Sequence, residues 1–146
     1  ANGLRHRAVH IWVFNPSQEL FVQKRSLAKD VAPGKWDSSC CGHVDSGEDY
    51  EIAALRELSE ELGIRVRPEQ LIFRFKIDAC EETGQEFVKV YELRHGGPFV
   101  LQPEEISDGR WIDLPGLERW TENEPDAFAV SFRHIWSAWR REEPFT

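Results

Sequence analysis

Residues 42–64 read GHVDSGEDYEIAALRELSEELGI, from Gly42 to Ile64. The spacing predicts a helix over 48–62 that stops at Gly63, because glycine accepts the left-handed conformation that ends many helices. At about 100° per residue, Ile52, Leu55, Leu58 and Leu62 share one face, and Glu57, Glu60 and Glu61 share the opposite, water-facing side. Carboxylates at i, i+3 and i+4 destabilise a helix by roughly 0.2–0.5 kcal/mol per pair. Their place near the helix C-terminus also opposes its dipole, and Glu51 adds negative charge nearby. A divalent cation resolves the conflict: Mg²⁺ takes carboxylate oxygens, keeps several waters and bridges protein to phosphate. Taken alone, the helix reads equally well as a solvated acidic face.

Ahead of this stretch, His6–Phe14 (HRAVHIWVF) is β-branched and aromatic, breaks at Asn15-Pro16-Ser17 and resumes as Glu19–Lys24 (ELFVQK). That is the pattern of a strand hairpin. Residues 26–35 read as a polar loop, and a short strand near Trp36–Cys40 leads into Gly42. Behind the helix, Leu71–Ala79 and Phe87–Leu93 read as strands joined by a turn at 82–85, with a further short strand at Gly109–Asp113. Residues 94–108 and 114–127 read as loops. Over 126–141, Phe128, Phe132, Ile135, Trp136 and Trp139 recur at helical spacing. The expectation is an α/β sandwich around a mixed sheet, in one domain spanning 1–146.

With 146 residues, 40% hydrophobic and 30% charged, the chain is long and apolar enough to bury a core. A net charge of −8 speaks against a duplex nucleic-acid partner. No apolar run approaches the roughly 18 residues that span a bilayer, and no export signal is visible, so no membrane partner and a cytoplasmic location are expected. The three cysteines form no disulfide framework, since the count is odd and Cys40 adjoins Cys41. The chain does not begin with methionine, which leaves room for residues ahead of Ala1.

The spacing Gly42, five residues, Glu48, seven residues, then Arg56-Glu57-Leu58-Ser59-Glu60-Glu61-Leu62-Gly63-Ile64 resembles the Nudix box at all nine constrained positions over 23 residues. The resemblance implies a Nudix-type α/β/α sandwich around a mixed β-sheet. It also implies Mg²⁺-dependent hydrolysis of a phosphoanhydride bond, with Mn²⁺ as a substitute metal. The substrate class would be a nucleoside diphosphate linked to another moiety, or a related small molecule, attacked by metal-activated water. Residue by residue, Glu57, Glu60 and Glu61 resemble the metal-binding carboxylates, with the backbone carbonyl of Gly42 a further ligand. Glu48 and Arg56 resemble the pair that braces the box, and Arg56 is counted in the catalytic set. Gly42 itself reads as the glycine of a tight strand-to-loop turn. Glu60 is the first choice for the catalytic base, and Glu105 or Glu104 the second, although an ordinary charged loop is the simpler reading of that pair. Arg25 and Lys29 are the best-placed donors to substrate phosphates. Trp111, Trp120, Trp136 and Trp139 read more simply as core than as a base-stacking platform.

A narrower likeness runs from His6 to His43. HRAVHIWVFN and QKRSLAKDVAPGKWDSSCCGH are similar to isopentenyl-diphosphate isomerases, which share the fold. On that comparison Cys41 matches a catalytic cysteine, His6 and His43 match metal-binding histidines, and Glu86 matches a metal-site and catalytic glutamate. Arg25 and Lys29 match diphosphate contacts. The departures are specific. The isomerases have another histidine upstream of His6, absent from the five residues here, and a second glutamate where Gly84 stands. Phe75 stands where they have a tyrosine, and their box keeps the carboxylate at Glu61 but not those at Glu57 and Glu60. The complete acidic set puts hydrolysis first and isomerase-type proton transfer by Cys41 and Glu86 second. A binding module without turnover, the third class, fits an intact box poorly. The expected partner is a small-molecule diphosphate and the expected state a monomer or homodimer; the leaving group is not legible.

Overall fold

The structure, a computed structural model, describes residues 6–142. His6–Phe14 forms strand β1, the middle of a seven-stranded mixed sheet. Strand β2 (Glu19–Arg25) leaves β1 through a hairpin in which Asn15 Oδ1 accepts from the Ser17 and Glu19 N–H groups at 3.0 and 2.9 Å. The two strands meet only at Phe14 and Leu20. Beyond that point they splay, and β4 (Cys40–His43) fills the space by pairing antiparallel with residues 8–11 of β1. β3 (Trp36–Asp37) and β7 (Ile106–Asp113) pair with β2 instead. On the other side β6 (Glu86–Arg94) runs parallel to β1, and β5 (Ile72–Ile77) closes that edge.

The two-residue period of β1 builds two cores. Ala8, Trp12 and Phe14 face one side, where the last helix, α3 (Val130–Glu142), lays down Phe132, Ile135, Trp136 and Trp139. The Trp12 ring stacks on Trp139 and Phe132 at centroid distances of 4.6 and 5.2 Å. Val9, Ile11 and Val13 face the other side, against helix α1 (Tyr50–Glu57) and the turn after it. Helices on both faces give the expected α/β/α sandwich. Trp136 and Trp139 are buried, Trp120 packs edge-on to Trp36, and Trp111 packs edge-on to Phe21. Among the described residues, no helix is long and apolar enough to cross a membrane.

Three expectations need correction. The segment 114–127 is not a loop: Leu114–Asn123 is helix α2. Pro115 and Gly116 look like breakers, yet proline suits a first helical turn, and the Asp113 side chain caps it by accepting from the Gly116 N–H at 2.7 Å. The terminal helix starts at Val130, after a short 3₁₀ turn at Pro125–Ala127, rather than at 126.

The third correction concerns the acidic helix. It is α-helical only over Tyr50–Glu57, and Leu58–Leu62 form one wide π-type turn ending at Gly63, φ 69°. Its inward stripe keeps Leu58 and Leu62, with Leu55 partly buried against the same core, but passes through Ala53 and Ala54 in place of Ile52. Ala53, Ala54, Leu58 and Leu62 are buried, whereas Ile52 is 53% exposed. Small alanines let the helix approach the sheet closely, and residues one turn further along the same stripe are Glu57 and Glu61. Two of the three carboxylates therefore point inward. Leu58→Ala is expected to cost about 2–5 kcal/mol of unfolding free energy in urea titrations, and Ile52→Ala to stay within about 0.5 kcal/mol. Equal losses would contradict this orientation.

Candidate active site

The wide turn carries the chemistry. Its freed carbonyls are taken by the loop ahead of β7: Leu62 and Glu61 accept from the Val100 and Gln102 N–H groups, both at 3.0 Å. Glu61 is 5% exposed and Glu57 is partly buried, while the Glu60 side chain stands 59% open. One Glu61 oxygen accepts from the Gln23 side-chain amide at 3.1 Å and from the Cys41 N–H at 3.3 Å. The Glu57 carboxyl adjoins that of Glu61. Burial, then the Glu57 charge, pushes the Glu61 carboxyl up to about 8. Burial also raises Glu57.

Gly42 lies within β4, opposite Val9, and not in a turn. What requires a glycine is Glu57: a Cβ at position 42 would meet its carboxylate oxygen at 2.2 Å. The strand backbone and the carboxylate thus share a space that no side chain occupies. Arg56 ties the acidic group to the preceding loop. Its guanidinium binds both Glu48 oxygens at 2.7 and 3.0 Å, Glu57 at 2.9 Å, Glu60 at 3.2 Å and the His43 carbonyl at 2.9 Å. The donated hydrogen bonds hold Glu48 below the usual carboxylate range.

Gly42, Glu57, Glu60 and Glu61 line a cleft of about 480 Å³ with Lys29, Cys41, His43, Asp45, Gln102, Glu104 and Glu105. Lys29 forms an ion pair with Glu105. The two loops that carry them are joined by the Ser26 N–H to Glu105 carbonyl bond at 3.0 Å. Arg25 does not line the cleft. Its guanidinium donates to the Val31 carbonyl at 2.8 Å and to Asp37 at 3.3 Å, with Cys41 Sγ 4.0 Å away. Burial pushes the Cys41 thiol up. His43 hydrogen-bonds Glu86, which raises its pKa, and the His6 ring lies 6.1 Å from it. So the isomerase-like set divides: Cys41 and His43 are on the cleft wall, and His6 and Glu86 adjoin His43. Positions upstream of His6 lie outside the described residues.

Sequence reasoning passed over Gln23, Asp37, His10 and Gln102. Burial holds His10 down, and its ring nitrogen is 2.7 Å from Ser38 Oγ. The available signal was a lone glutamine in the apolar run ELFVQKR, and the polar run Asp37-Ser38-Ser39 inside a strand region.

The donor set fits a hard divalent cation: three carboxylates, two of them forced together, beside a backbone stripped of Cβ. The linkage has a definite sign. In metal-free protein the folded state keeps a proton on Glu61 that the unfolded chain releases above the ordinary value of 4.5. Stability from this group is therefore lost as pH rises from about 4.5 to about 8. Melting temperatures in a chelator should fall across that window for the parent protein relative to Glu61→Gln. Parallel profiles would contradict the buried pair.

Comparison with known proteins places the chain. The family model described as the NUDIX domain matches residues 4–130. The isopentenyl-diphosphate Delta-isomerase of Burkholderia multivorans is 38% identical over 135 residues, covering 89% of this chain and 75% of that protein. The enzyme of the same name from Escherichia coli O1:K1 is 33% identical, covering 88% and 73%. The crystal structure of DR0079 from Deinococcus radiodurans superposes with a TM-score of 0.80 at 28% identity, over 99% of this chain and 88% of that one. The relatives' names agree with the isomerase alternative better than with the hydrolase expectation. On the family match and these identities, the chain belongs to the Nudix family and is an enzyme of that family.

Proposed function

We propose that this enzyme hydrolyses a phosphoanhydride bond in a small diphosphate compound, using divalent cations held by Glu57, Glu60 and Glu61. The observation that carries the reading is the convergence of all three carboxylates in one cleft beside a glycine whose missing Cβ admits Glu57. Glu57 and Glu61 would be the inner ligands, Glu60 the outer one, and the Gly42 carbonyl a further donor. Mg²⁺, or Mn²⁺ in its place, supplies Lewis-acid stabilisation of the phosphate oxygens and lowers the pKa of the attacking water when bound.

The chain's own groups do the rest. Glu60, the most open of the three, accepts the water proton. Glu105 is the second choice, because Lys29 already occupies it. Lys29 is the cation on the cleft wall for a phosphate oxygen, moving from Glu105 to substrate. Arg25 acts from behind the wall, neutralising Asp37. Arg56 orients Glu57 and Glu60 while Glu48 holds it in place.

A second reading, proton transfer on isopentenyl diphosphate, is favoured by the relatives' names and by the Cys41 thiol on the same cleft wall. A raised thiol pKa suits a proton donor. Against it, position 84 is glycine and Glu86 is engaged by His43. The two readings separate by mutation. With Mg²⁺ and a panel of nucleoside-diphosphate compounds, Glu61→Gln is expected to cut phosphate or monophosphate release by at least about 100-fold, and Cys41→Ala to leave it near the parent rate. Isomerisation of isopentenyl diphosphate, abolished by Cys41→Ala, would reverse the preference.

A further inference from the structure

Gln23 is 2% exposed, on the strand beneath the acidic turn. Its side-chain nitrogen donates to two acceptors at 3.1 Å each, the Ser39 carbonyl and one Glu61 oxygen. The chemistry fixes which end of the amide faces them: a carbonyl and a carboxylate both need N–H, and the NH₂ group has one hydrogen for each. Ser39 is itself anchored where β1 and β2 splay. Its hydroxyl accepts from the Val13 N–H at 2.8 Å and donates to the Phe21 carbonyl. A continuous hydrogen-bonded chain therefore runs from the centre of the sheet, through Ser39 and Gln23, to Glu61.

We infer that Gln23 is a positioning residue. It holds one Glu61 oxygen against the sheet, together with the Cys41 N–H, and leaves the other for Glu57 and a shared cation. The inference rests on the cation-binding role proposed above for Glu61. Two features distinguish this tie from ordinary core packing. The amide is a neutral donor, so it orients the carboxylate without competing for the cation as lysine or arginine would. It also reaches Glu61 from a different element, across 38 residues of chain, and so ties the carboxylate on the wide turn to the sheet.

The test uses the full chain and Mn²⁺ as the probe. Mn²⁺ binding is followed by electron paramagnetic resonance, and circular dichroism confirms that each variant is folded. Gln23→Leu removes the donor in a branched side chain, and Gln23→Met removes it in an unbranched one of similar length. Partners that orient metal ligands are worth roughly 10–100-fold in affinity. Both folded variants are expected to weaken Mn²⁺ binding by that factor. Should Gln23→Leu not fold, Gln23→Met decides alone. Folded variants that lose thermal stability yet bind Mn²⁺ like the parent would make Gln23 a packing residue and overturn the inference by itself. A parent that binds no Mn²⁺ overturns it together with the cation site. Weakened binding in the variants, with a parent that releases no phosphate from any diphosphate, would leave the inference standing and remove the proposed hydrolysis.

Discussion

The structure turns on the burial of Glu57 and Glu61 side by side against a strand backbone. Two adjacent carboxylates with little water around them are costly to ionise together. Ala53 and Ala54 let the helix come close enough to present them, and the bare Gly42 backbone makes room. Arg56 compensates one side of the pair and Gln23 with the Cys41 N–H the other. What is left uncompensated faces a cleft with only one lysine on its wall. On the reading proposed above, a divalent cation fills that deficit.

Much of this was legible from residue spacing, and the failures share a physical cause. α3 announces itself by apolar period, since it buries large side chains on one face, and β1 by a β-branched and aromatic run that is buried on both faces. The acidic turn was found for its charge but aimed the wrong way. Leu58 and Leu62 do go inward as read, but Ala53 and Ala54 complete the buried stripe in place of Ile52 and carry Glu57 and Glu61 inward with them. Helix α2 was read as part of a loop, whereas the Asp113 side chain makes Pro115 and Gly116 a capped first turn. Gly42 was recognised as necessary, but for a turn; what it must avoid lies 15 residues along the chain, at Glu57, a contact no local reading shows. Gln23 was invisible for a similar reason, since a glutamine in a strand declares nothing until its partner from another element is known.

The cleft holds the elements of two chemistries. Cys41 and His43 line the cleft, and His6 and Glu86 adjoin His43. The complete acidic turn lines the same cleft beside them, with Glu61 bonded to the Cys41 N–H and Glu57 against Gly42. The names of the relatives side with the thiol; the convergence of carboxylates sides with water attack. One physical distinction separates them: hydrolysis forms a new bond from water oxygen to phosphorus, and isomerisation exchanges a proton at carbon while the diphosphate stays whole.

That distinction can be read in a single labelling measurement. The enzyme is incubated with Mg²⁺ in deuterated, ¹⁸O-enriched water, with a panel of nucleoside-diphosphate compounds and isopentenyl diphosphate, and the products are analysed by mass spectrometry. Hydrolysis at the acidic turn predicts ¹⁸O in a released phosphate or monophosphate and no deuterium on carbon. Deuterium in the carbon skeleton of an intact diphosphate, with no ¹⁸O on phosphorus anywhere in the panel, would contradict it.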